Sequence, residues 1–158
     1  RHADPGVRGR AMGLLATLTR RMNEGEPERV AATARAIELM ADENPYVKAE
    51  GMSASSDLQN VAAIHTMIPL LADATPNTYN ISGWTTLAGT SGRVHHDGSA
   101  WSQVRDSALY AIKNLSRHHN RETMFEYDIN GRTKDDDLAA AATAANAWYE
   151  ANRASLPE

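Results

Sequence analysis

Apolar residues recur three and four positions apart along most of this chain. The clearest run is Val104-Arg105-Asp106-Ser107-Ala108-Leu109-Tyr110-Ala111-Ile112-Lys113-Asn114-Leu115. Val104, Ala108, Leu109, Ile112 and Leu115 make one stripe of an amphipathic helix. Two weaker copies lie upstream, at Val7-Arg8 with Ala11, Met12, Leu15 and Leu18, and at Val47-Lys48 with Gly51, Met52 and Leu58. In all three, a Val precedes a basic residue, a small residue follows at +4, Leu or Met at +5, and Leu at +11. That is an internal repeat, and it predicts a helical architecture.

Taken in order, Asp4-Pro5 opens a first helix, because Asp caps free amides and Pro fits the first turn. It should run to about Arg21 and stop at Asn23-Glu24-Gly25. A second helix opens at Glu26-Pro27-Glu28, with acids near its positive end. Its apolar stripe is read as Val30, Ala34, Ile37 and Met40 with Ala41, and the pair forms an antiparallel hairpin. Asn44-Pro45 restarts the pattern. The third helix reads as weak in its latter half, where Gly51, Ser53, Ser55 and Ser56 dilute the stripe. A fourth is expected from Asp57, carrying Leu58, Val61, Ile64, Met67, Ile68 and Leu71, with a kink or break at Pro69.

Thr75 to Gly98 resists a long regular helix, since Asn80, Gly83, Gly89, Gly92 and Gly98 punctuate it. A short helix over Ile81–Ala88, anchored by Trp84 and Leu87, is the expectation there. From Ser99 the main motif helix runs to Arg117-His118-His119, cations suited to a helix C-terminus. Phe125 and Tyr127 should dock on the core, and Asn130-Gly131 should turn. The last helix, Asp135 to about Ala154, is rich in alanine and opens on three aspartates. Leu138, Ala142, Ala145, Trp148 and Tyr149 are its expected inner face.

From Val7 to Val47 is 40 residues, within the ~40–47-residue period of helix-pair repeats. From Val47 to Val104 is 57. The excess reads as an insertion, so the expected division is repeat 1 over about 4–43, repeat 2 over 44–77, an insertion over 78–98, and repeat 3 with a cap over 99–156. Insertions in repeat proteins cluster on one face, often the binding face.

Composition narrows the function classes. A chain of 158 residues fits one domain with a real core. The net charge of -4 carries no global footprint of nucleic-acid binding. No apolar run approaches the ~20 residues of a membrane span. The absence of cysteine excludes disulfides and thiolate metal sites. The initial Arg reads as a processed chain or an excised fragment, which leaves the compartment open.

These motifs resemble the HEAT-repeat family. The likeness rests on Asp4-Pro5-x-Val7-Arg8, Asn44-Pro45-x-Val47-Lys48 and Val104-Arg105-Asp106, with their downstream small and Leu/Met positions. Val104 to Leu109, Phe125-x-Tyr127-Asp128 and Ala147-Trp148-Tyr149 look like the end of such arrays in bacterial proteins. The resemblance implies an all-α, right-handed α-solenoid of about three helix pairs with a C-terminal capping helix. It also implies a protein-binding scaffold without catalysis or cofactor. The family includes a branch of DNA glycosylases, so nucleic-acid binding or base excision is the alternative.

Stacked pairs make a concave surface lined by their second helices. The expected binding residues are therefore the polar outward positions Arg29, Thr33, Glu38, Gln59, Asn60 and His65. The inserted segment Thr78–His96 adds Trp84, Arg93, His95 and His96, and the partner is expected to be a protein. Arg8, Lys48 and Arg105 read as inter-repeat ion-pairing residues, with acids such as Asp106. Metal chemistry is not expected: adjacent histidines such as His95-His96 point opposite ways, and no two histidines share a helix face. Glu126-x-Asp128-x-Asn130-Gly131 matches a calcium loop only in part, and a turn before an acid-capped helix explains it. No nucleophile elbow or phosphate-binding glycine loop is present.

Overall fold

The computed structural model describes residues 2–76, 78–81, 84–87, 93–94, 103–121 and 135–158. Helices dominate them. The order is α1 (Pro5–Thr19), α2 (Pro27–Leu39), α3 (Pro45–Asp57), the short α4 (Ile64–Met67), strands β1 (Thr78–Ile81), β2 (Trp84–Leu87) and β3 (Arg93–Val94), α5 (Val104–His119) and α6 (Asp135–Asn152).

The helix starts follow the capping signals. The Asp4 side chain accepts from the Val7 amide, and Asn44 accepts from the amides of Tyr46 and Val47, each ahead of a first-turn proline. At α5, Gln103 and Asp106 form a reciprocal capping box.

α3 is the wall that the rest is built on. α1 and α2 pack on one side of it and α5 on the other, while α6 covers α5 and the turn before β1. Tyr46, Val47, Ala54 and Leu58 join a core with Met12, Ala16, Ala32, Ala36 and Leu39. Ala49 and Met52 of the same helix join a second core with Ile64, Met67, Leu109, Ile112, Leu115 and Trp148. Its small residues are therefore a consequence of burial on two sides. The expectation of a weak latter half is corrected: α3 runs unbroken to Asp57, and Gly51, Ala54 and Ser55 are all buried. A Cβ at Gly51 would lie 2.7 Å from the Ala36 carbonyl oxygen, so glycine is what lets α2 come this close.

The α2 stripe is corrected too. Met40 is buried and Ile37 packs against the same core as expected, but Val30, Ala34 and Ala41 are exposed, and Ala32, Ala36 and Leu39 face α3 instead. The single helix expected over 58–71 is a left-handed turn at Gln59 (φ 56°), a 3-10 turn at Val61–Ala63, α4, and a second 3-10 stretch at Ile68–Ala72. That second stretch contains Pro69, where the break was expected. The short helix expected over 81–88 is replaced by strand: β1, β2 and β3 form an antiparallel ribbon in that order, with Ile81 opposite Trp84 and Thr86 opposite Arg93. Its β-branched and aromatic residues favour strands over helix. Phe125, Tyr127 and the 126–131 turn lie outside the described residues.

Candidate interaction surface

The ribbon leaves the helical frame at one point and returns at the same point. The Val104 amide donates to the Thr75 carbonyl at 2.9 Å, and the Arg105 amide donates to the Asp73 carbonyl at 2.9 Å. Pro76 and Gln103 form an isolated antiparallel bridge. These contacts bracket residues 77–102, and the insertion expected over 78–98 falls between them. Removing residues 77–102 would bring Pro76 directly to the start of α5.

Asp73 fastens this neck. Its carboxylate accepts from the Thr75 amide at 3.0 Å and from the Lys48 ammonium of α3 at 3.0 Å. Burial pushes the Asp73 carboxyl up, but hydrogen bonds from the Thr75 hydroxyl and amide and from Lys48 outweigh it. The group is held below the usual carboxylate range.

An equivalent arrangement joins the first and second pairs. Asp42 accepts from the Asn44 amide at 3.0 Å and from Arg8 of α1. Asp42-Glu43-Asn44-Pro45 and Asp73-Ala74-Thr75-Pro76 are one turn used twice. Arg8 and Lys48, at the starts of α1 and α3, therefore each reach the acid that closes their own helix pair. The recurring Asp-x-polar-Pro was the signal that would have located the neck from sequence.

The predicted binding residues separate into groups. Arg29 is buried: its guanidinium donates to the carbonyls of Arg20 and Met22 at the end of α1 and to Leu58 at the end of α3. An outward role for it is corrected, because it supplies donors to carbonyls that the helix ends leave free. His65 turns inward between Tyr149 and the C-terminal residues. Its Nε2 faces the Pro157 carbonyl at 3.2 Å, which can only accept, so in the neutral ring Nδ1 accepts from the Tyr149 hydroxyl at 2.9 Å. Thr33 and Asn60 are half-buried, and Gln59 is exposed. Glu38 is exposed and pairs with Arg35 at 2.6 Å. Trp84 and Arg93 fall on β2 and β3 of the ribbon, and His95 and His96 lie outside the described residues.

One polar feature escaped the sequence reading. Ser56 near the end of α3 and Asn114, Arg117, His118 and Arg121 at the end of α5 line an open cleft of about 450 Å³. Arg117 and Arg121 bring two guanidinium groups to it, with no hydrogen bond or ion pair to either side chain among the described residues. Neighbouring His119 is committed elsewhere, to the Ser155 hydroxyl at 2.9 Å and edge-on to Trp148. No group of three or more potential metal ligands gathers among the described residues. No helix among them is long and apolar enough to cross a membrane.

Set against models of protein families, curated proteins and solved structures, the chain finds no match.

Proposed function

We propose that this chain is a non-catalytic protein–protein interaction module of the HEAT-like kind, a right-handed solenoid of about three helix pairs closed by α6. The repeated Asp-x-polar-Pro turn and the stacking of α1, α3 and α5 support the repeat reading. The binding elements are the segment 77–102, which carries the β1–β3 ribbon, and the exposed polar positions Glu38 and Gln59 beside the second helices.

The observation that carries this reading is the closed neck at Thr75–Val104 and Asp73–Arg105. An insertion whose two ends meet adds surface without being needed to complete the frame, which suits recognition better than folding. Affinity capture with the intact chain, against a variant in which Pro76 is joined directly to Gln103, tests it. A partner held by the intact chain and lost by the shortened one is the expected result. Capture that is indifferent to the ribbon would remove it from the function.

The two guanidinium groups of Arg117 and Arg121 at this cleft favour a second reading, a nucleic-acid-binding or base-excising protein of the same repeat type. Retention on immobilised DNA at moderate salt, reduced by Arg117→Ala with Arg121→Ala, would support it. Passage without retention would dismiss it.

A further inference from the structure

Four positions of the repeat occur three times, and one of the three sets is uncovered. Val47, Gly51, Ala54 and Leu58 on α3 correspond to Val104, Ala108, Ala111 and Leu115 on α5, and all eight are buried. The matching residues of α1 are Val7, Ala11, Leu14 and Leu18. They are just as apolar, yet Val7 is 45%, Leu14 66% and Leu18 72% exposed, and Ala11 is exposed as well. Val30 of α2 is 53% exposed as well. A hollow of about 210 Å³ lies between the two helices, with Val7, Ala11, Met12, Leu15 and Leu39 among its lining.

The internal interface states what such a stripe packs against. On α3 the stripe lies under α1 and α2, against Met12, Ala16, Ala32, Ala36 and Leu39. The opposite end of the stack is finished differently. The α5 positions that match Gly9, Gly13 and Ala16 of α1 are Asp106, Tyr110 and Lys113, a polar set that suits a terminal face. A second copy meeting α1 end to end would therefore offer it polar groups.

The turn ahead of α1 is also built like the two internal ones. The Asp4 amide donates to His2 Nδ1 at 3.1 Å, as the Asn44 amide does to Asp42 and the Thr75 amide to Asp73, both at 3.0 Å. At Asp42 and Asp73 that turn follows a second-helix segment of a pair.

We infer that the outer face of α1–α2 is a docking surface for a further helix pair of this same repeat kind, one that presents a methionine, alanine and leucine face. This rests on the repeat reading and not on the ribbon, so the two fail separately.

The test uses the full chain and an extended one, in which a duplicate of residues 4–43 is inserted ahead of Asp4. The junction Asp42-Glu43-Asp4-Pro5 then repeats the native Asp42-Glu43-Asn44-Pro45. Each chain carries Leu14→Glu with Leu18→Lys, placed in the downstream copy of the extended one. On an open helix this i,i+4 pair is tolerated or mildly favourable, and under a docked helix pair it buries two charges. The 158-residue chain should keep its Tm within ~2 °C, while the extended chain, melting in one transition, should lose roughly 5 °C or more. Equal shifts in both chains, or a separate transition for the added pair, would overturn the inference. So would a dimer of the 158-residue chain that the double substitution abolishes, since a second copy would then be the occupant.

Discussion

Arg8 and Asp42 stand 34 positions apart and meet side by side: Nε donates to Oδ2 at 3.1 Å and Nη2 to Oδ1 at 2.8 Å. The same guanidinium holds the carbonyls of His2 and Ala3, and the same carboxylate receives the Asn44 amide. The pair thus fixes the start of α1, the end of the first helix pair and the start of α3 together. The Asp42 side chain is 3% exposed, so its charge depends on these donors.

Removing the donor should therefore be worse than removing the acceptor. Arg8→Met leaves the buried Asp42 carboxylate with the Asn44 amide but no counter-charge, whereas Asp42→Ala leaves Arg8 bonded to the carbonyls of His2 and Ala3. Thermal melts should rank the intact chain highest, Asp42→Ala next and Arg8→Met lowest. The reverse order of the two variants would contradict the assigned role.

Arg29 tests the correction to the predicted binding surface. Replaced by Met, it leaves the Leu58 carbonyl without its buried donor, at a cost of about 1–3 kcal/mol in urea unfolding. A substitution at an exposed binding position would stay within roughly 0.5 kcal/mol.

Gly51→Ala separates helix propensity from packing. On propensity alone, alanine should stabilise an interior helical position by about 1 kcal/mol. Here the added Cβ would meet the Ala36 carbonyl oxygen at 2.7 Å, a backbone atom that cannot swing away. The expected outcome is a net loss of roughly 1–3 kcal/mol. A gain would show that α2 and α3 are less tightly apposed than described.

Tyr46 is 2% exposed, and burial, reinforced by Glu50, pushes its phenol up to about 12. The folded state therefore keeps its proton through a range in which the unfolded chain, near 10, has begun to lose it. The sign follows: Tyr46 costs no stability below pH 10, and stability falls as pH rises from there through 12. Tyr46→Phe should flatten that alkaline loss. In an ultraviolet titration of the folded protein, the component lost on Tyr46→Phe should be the one that ionises at about 12.

The chain order was legible because the start signals are local. Asp4-Pro5 and Asn44-Pro45 cap and open helices whatever surrounds them, and α1, α2 and α3 begin where such signals place them, whereas α5 opens at Val104 and not at the expected Ser99. What failed needed knowledge of a neighbour. Val30 and Ala34 read as core by periodicity, but α2 also carries Ala32, Ala36 and Leu39, and only α3 decides between the two faces. The serines and Gly51 of α3 read as dilution because amphipathic patterns assume one buried side, and this helix has two. Arg29 and His65 read as outward because charge and polarity are usually solvated. Their partners, the ends of α1 and α3 for one and Tyr149 with Pro157 for the other, lie far off in sequence. The excess spacing between Val47 and Val104 marks no particular place in the chain, whereas the hydrogen bond between Thr75 and Val104 joins two segments that sequence leaves far apart.

If the repeat reading holds, the helical frame is complete without residues 77–102, and a circular dichroism melt of a chain with Pro76 joined to Gln103 tests this. A single cooperative transition is expected, with the helical signal kept and the Tm within about 4 °C of the intact chain, the shift that roughly 1 kcal/mol produces at this size. Loss of the helical signal, or a melt without a cooperative transition, would contradict it and make residues 77–102 part of the fold.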